Sequence, residues 1–192
     1  MTPDKSGNGG SRRGAGDDAL YATLRDRAEA LARLAPEARL QPLSDLLWDA
    51  LSPRGLSWGG FYLIDASVPL DRLQREGAML LAARRDKPAC SPIGLHGVCG
   101  QGFLEEATRL VEDVALLGAG YIACDPRDRS ELVLPIYRNG VCWGVLDLDS
   151  HEVACFGATD IRGLEKVLRA AELLDRSPPV RADRLQDRVG SL

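Results

Sequence analysis

Three cysteines sit where a thiol could be reached and used: Cys90 in KPAC, Cys99 in GVCG and Cys124 in YIACD. Each is flanked by small or loop-forming residues that leave the sulfur approachable. A thiolate is a nucleophile, and an oxidised thiol can condense with a second one. Cys142, inside VCWGVL, and Cys155, ahead of Phe156, read instead as small packing residues. Five cysteines make an odd set and none are spaced Cys-x-x-Cys. That argues against a disulfide framework, a thioredoxin-type motif and a zinc ribbon. A zinc set of Cys90, Cys99, Cys124 and His96 has suitable ligand types, but its spacing matches no compact zinc motif. With only His96 and His151 available, no bound metal is expected.

Carboxylates complete the chemistry. Asp147 and Asp149 are two apart in VLDLDS, so on a strand they share one face, with Leu146 and Leu148 on the other. Glu131 opens the preceding strand and can join them. Carboxylates gathered near a thiol bind an ammonium group, or supply a proton where a neighbour raises one pKa. Trp58 and Tyr62, four apart beside a double glycine, share a strand face as core or as the wall of a pocket.

These residues need elements to hold them. Residues 1–17 read as a disordered tail, being rich in Gly, Ser, Arg and Asp. A helix follows, with Leu20, Leu24, Ala28, Leu31 and Leu34 in one stripe. Asp17 or Asp18 caps it and Pro36 stops it. A second helix is expected from Pro42 to Leu51. Strands are expected over 57–64, 78–84, 108–111, 131–137 and 141–149, the last two joined by the turn signal Arg138-Asn139-Gly140. Gly59-Gly60 implies a bend or a close backbone approach. Two long loops, 86–101 and 112–129, flank a short helix near 102–107. Long loops inside a compact domain tend to carry function. Thr159 caps a last helix to about Leu174, and a polar tail covers 176–192. The order implies an α+β domain over 18–175, with a mostly antiparallel sheet packed by N- and C-terminal helices.

Composition narrows the field. The chain has 192 residues, 45% hydrophobic and 27% charged, which excludes wholesale disorder. A net charge of −4 gives no electrostatic case for nucleic acid, and no apolar run suits a membrane span. The opening MTPDKSGNGGSRRGAGDD lacks the apolar stretch of a secretory signal, so a cytoplasmic protein is expected.

Taken together, WGGFYL, KPAC, GVCG, YIACD, SELVLP and NGVCWGVLDLDS resemble, in order and approximate spacing, the free methionine-(R)-sulfoxide reductases. These are single GAF-domain enzymes. The resemblance covers roughly residues 20–175, and its specific part is the three cysteines with SE and D-x-D. It implies a GAF-like fold and reduction of free L-methionine-(R)-sulfoxide by a relay of thiolate, sulfenic acid and disulfide. It implies that Cys124 is the catalytic cysteine, Cys90 the resolving one, and Cys99 a third that also resolves or relays. It places Glu131, Asp147 and Asp149 around the substrate, with Trp58 and Tyr62 as aromatic pocket residues. No bound cofactor is implied. The external reductant is thioredoxin or a similar protein, and a homodimer is left open.

The chemistry suits these residue types. A sulfoxide sulfur is electrophilic, its oxygen must be protonated to leave, and acidic groups select the ammonium that only the free amino acid carries. The chain departs from the family at four points. Cys99 follows Cys90 by one residue fewer than usual. LHGVCG replaces GRGVCG at His96, GYIACD replaces GHIACD at Tyr121, and PRDRSE replaces AASNSE. These changes bear on substrate fit and loop closure more than on the thiols. The alternative reading is a non-catalytic GAF module that binds a ligand or senses redox state.

Overall fold

The computed structural model describes residues 15–65, 67, 78–120 and 124–183. Expectations for residues 1–14, 184–192 and Tyr121 lie outside the described residues. Two helices open the described chain, α1 (Ala15–Glu29) and α2 (Pro36–Leu51). Strands β1 (Leu56–Ile64) and β2 (Met79–Arg85) follow, then α3 (Val98–Leu104) and β3 (Thr108–Val111). The hairpin β4 (Ser130–Arg138) and β5 (Val141–Ser150), helix α4 (Ala158–Ala170) and β6 (Val180–Asp183) complete it. The sheet order is β2-β1-β5-β4-β3-β6, antiparallel throughout except for the parallel pair β3–β6. This is the expected α+β arrangement.

Alternation sorts the sheet into two faces. Phe61, Leu132, Leu134, Leu146 and Leu148 point to one side and pack under the long helices with Leu24, Leu43, Leu47, Leu164 and Leu168. Burying each such side chain stabilises the fold by about 1.5–3 kcal/mol. Trp58, Tyr62, Val133 and Val145 point to the other side and pack under α3 and the loop before it with Met79, Leu95, Val98 and Cys99. At the hairpin turn, Asn139 and Gly140 have φ of 52° and 78°, the left-handed pair that suits a strand twist.

Several boundaries differ from the sequence expectation. Residues 15–17 belong to α1, where buried Asp17 pairs with Arg54. Pro36 starts α2 rather than merely stopping the previous helix, because the first helical position needs no N–H donor. Helix α3 begins at Val98, so Cys99 is helical. Helix α4 ends at Ala170, and Gly157 occupies its cap position, where the Asp160 carboxylate accepts from the Gly157 N–H at 2.8 Å and from the Tyr21 hydroxyl at 2.8 Å. The segment read as a polar tail supplies β6. It pairs with β3 from Thr108↔Val180 to Val111↔Asp183, and Arg109 bonds Asp183 at 3.0 Å. An edge strand half open to solvent can be polar, which hides it from a hydrophobic pattern.

Candidate active site

The carboxylates come from the strand register. Asp149 on β5 stands opposite Glu131 on β4 and Trp58 on β1, while Asp147 stands opposite Val133 and Gly60. Glu131 is 5% exposed and Asp147 7%, so they do not form a solvated sheet face. Asp147 Oδ1 is buried with no hydrogen-bond partner. Burial pushes the Asp147 carboxyl well above the usual range, and the nearby Asp149 adds to the rise. Burial does the same to Asp149, reinforced by facing Glu131.

Gly60 lets β1 carry its aromatic pair here. A Cβ at that position would lie 2.5 Å from the Trp58 ring and 2.7 Å from the Ala83 carbonyl oxygen. This is the close approach expected of the double glycine. The Trp58 and Tyr62 rings then lie 6.1 Å apart, both buried.

The three cysteines divide. Cys90 and Cys124 are exposed, whereas Cys99 is buried, which corrects the expectation of an approachable loop thiol. Helix α3 sets Cys99 against Glu131 and Asp147, and burial first, then the charge of Asp147, pushes its pKa well up. Cys124 instead lies beside Cys90 on the cavity wall, near enough for the two thiols to influence each other's ionisation. Burial first, and the Cys90 side chain second, push the Cys124 thiol up to about 12.

The loop carrying Cys90 hangs from β1. The Trp58 indole N–H donates to the Lys87 carbonyl at 3.0 Å, and the Tyr62 hydroxyl donates to the Cys90 carbonyl at 2.8 Å. A cavity of about 250 Å³ opens between this loop, α3 and the sheet. Tyr62, Cys90, Cys99, Cys124, Glu131, Asp147 and Asp149 all line it. Trp58 lines a smaller adjoining cavity of about 170 Å³, which shares Cys124 and Asp149. Seven of the eight residues singled out from sequence therefore meet at one cavity, and the eighth lies next door.

Asp128 is the site residue that sequence reasoning passes over. It lines both cavities, is 4% exposed, and leaves Oδ1 without a hydrogen bond 3.7 Å from His151 Nε2. Burial, helped by Asp125, raises its pKa. Among the described residues, side chains able to group around a metal are Cys99 with Glu131 and Asp147, and Asp125 with Asp128 and His151. The set of three cysteines with His96 is not among them.

No protein-family model matches the chain. It is 34% identical over 142 residues, 72% of this chain and 73% of the relative, to the free methionine-R-sulfoxide reductase of Saccharomyces cerevisiae. The X-ray structure of the free methionine-R-sulfoxide reductase from Neisseria meningitidis, in complex with its substrate, aligns with a TM-score of 0.69. That alignment has 32% identity and covers 83% of this chain and 90% of that one. A solved GAF domain aligns with a TM-score of 0.71 at 29% identity, covering 83% of this chain and 90% of its own. No helix among the described residues is long and apolar enough to cross a membrane.

Proposed function

This chain belongs to the free methionine-R-sulfoxide reductase family and reduces free L-methionine-R-sulfoxide to methionine, and we propose that Cys124, Cys90 and the β4–β5 carboxylates carry the reaction. The observation that carries this reading is that Cys90 and Cys124 line one cavity with Glu131, Asp147 and Asp149.

The substrate ammonium sits between Glu131 and Asp149, whose facing charges it offsets. Its sulfoxide then reaches Cys124. Attack of the Cys124 sulfur on the sulfoxide ends with oxygen on cysteine, so thiol plus sulfoxide gives sulfenic acid plus thioether. A thiol held near 12 must lose its proton during the attack, while the sulfoxide oxygen must gain one. Asp147, whose burial favours the protonated form, suits that exchange. Cys90 next condenses with the sulfenic acid to a disulfide. Because both sulfurs are exposed, a thioredoxin-type dithiol can reopen the bond by exchange, and a cytoplasmic setting supplies such a reductant. Cys99, buried on Asp147, helps to set the proton affinity of the acids.

The test is an assay on free R and S sulfoxides and on the N-acetyl R form, with dithiothreitol as reductant. Wild type should consume the free R form. Glu131→Gln and Asp149→Asn should each lose about ten- to a hundredfold in kcat/KM on it, the worth of a hydrogen bond to a charged group. Cys124→Ser should be inactive. Equal rates on the N-acetyl form would show that the carboxylates do not read the ammonium.

A further inference from the structure

An ion pair joins the two segments that carry the reacting sulfurs. Lys87, three residues before Cys90, places its ammonium on the carboxylate of Asp125, which directly follows Cys124. The other side of the Lys87–Cys90 segment is fastened to β1 through the Trp58 and Tyr62 hydrogen bonds. Segment 124–125 lies in no helix or strand. It is tied to the rest of the site by the Lys87 pair, by the Asp128 N–H, which donates to the Asp125 carbonyl at 3.1 Å, and by His151, whose Nε2 lies 3.5 Å from Asp125.

We infer that Lys87 and Asp125 form a latch that holds Cys90 against Cys124 for the resolving step. This rests on the thiol relay proposed above. In that step the Cys90 sulfur forms a bond to the Cys124 sulfur, and the S–O bond of the sulfenic acid breaks. The hydroxyl leaves with the Cys90 proton as water. Cys90 is oxidised and the sulfenic sulfur is reduced. Lys87 and Asp125 touch neither sulfur, so they are positioning residues. The rate depends on how often the Cys90 thiol lies within reach of the sulfenic sulfur, and the latch sets that frequency.

Lys87 is the side to change. Asp125 also accepts from the Arg127 backbone N–H at 3.0 Å and from its guanidinium at 2.8 Å, so the turn after Cys124 survives loss of Lys87. The Lys87 side chain is one-third exposed (32%) and its removal leaves no hole in the core.

The experiment mixes the reduced full-length protein with excess free L-methionine-R-sulfoxide, no reductant present, and quenches at intervals. Methionine release reports the first step. A sulfenic-acid trap and mapping of the Cys90–Cys124 disulfide report the second. Lys87→Met should leave methionine release unchanged and slow the disulfide about two- to fivefold, the scale of a partly exposed ion pair. Lys87→Arg should restore most of the rate. Added salt should slow resolution in wild type and not in Lys87→Met. Equal disulfide rates in wild type and Lys87→Met overturn the latch alone, as does methionine release slowed as much as the disulfide. Methionine release from wild type with no Cys90–Cys124 disulfide overturns latch and relay together.

Discussion

Glu131 and Asp149 face each other directly across β4 and β5, two acids in a cross-strand row that ends on Trp58. Like charges placed opposite on a sheet repel by roughly 0.2–1 kcal/mol. Nothing in folding requires that cost, whereas an ammonium ligand between the two carboxylates removes it.

Asp149→Asn should therefore raise stability while impairing catalysis. Burial, and then Glu131, hold the Asp149 carboxyl above its unfolded value, so the folded state binds the extra proton. The favourable contribution is complete below the unfolded pKa of about 3.9 and is lost as pH rises toward the folded pKa. At pH 8 wild type bears the penalty and the amide does not. The variant should melt about 0.5–4 °C higher there, and the gap should close toward pH 4. Thermal melts across that range decide it. A variant melting below wild type at pH 8 would contradict the repulsion.

Cys124 should alkylate slowly near neutrality. With its thiol pushed up to about 12, the thiolate fraction at pH 8 is on the order of 10⁻⁴. Iodoacetamide labelling of Cys124, followed by mass mapping, should accelerate about tenfold per pH unit from 7 to 10. A plateau below pH 9 would mean that the thiol is already ionised.

Gly60→Ala should damage both fold and site. Its methyl would lie 2.7 Å from the Ala83 carbonyl oxygen, on a paired strand that cannot retreat, and 2.5 Å from the Trp58 ring. Overpacking of this kind costs about 1–3 kcal/mol. Urea unfolding should show the loss, and tryptophan emission should change as the indole leaves the Lys87 carbonyl. Unaltered stability would mean that the strands separate freely at this point.

Much of the site is legible because a strand's period is strict. The spacing of Asp147 and Asp149 and their alternation with Leu146 and Leu148 predict one acidic and one apolar face, and the register adds Glu131. What is not legible depends on tertiary contact. The helix expected near 102–107 starts earlier, at Val98, a start that Gly97 and Gly100 conceal. Yet a Cβ at Gly100 would lie 2.2 Å from the Leu95 backbone, so packing demands the residue that propensity disfavours. That packing is what buries Cys99. Asp128 lies in PRDRSE, whose alternating charges read as a solvated loop, and its burial follows from neighbours in both cavities. Lys87 and Asp125 are distant in sequence, and nothing local announces their pairing.

The β4–β5 hairpin holds two inventories on one ribbon. Leu132, Leu134, Leu146 and Leu148 belong to the scaffold, while Glu131, Asp147 and Asp149 belong to the cavity, interleaved residue by residue. Because the two sets never share a face, the acids can change without altering the packing of the leucines. Divergence toward a new small cation would need changes on one side of the sheet only, with the leucine layer left as inherited. The adjacency of fold and chemistry along the chain is thus also their separation in space, and it makes this hairpin a place where specificity can evolve without repacking the leucine core.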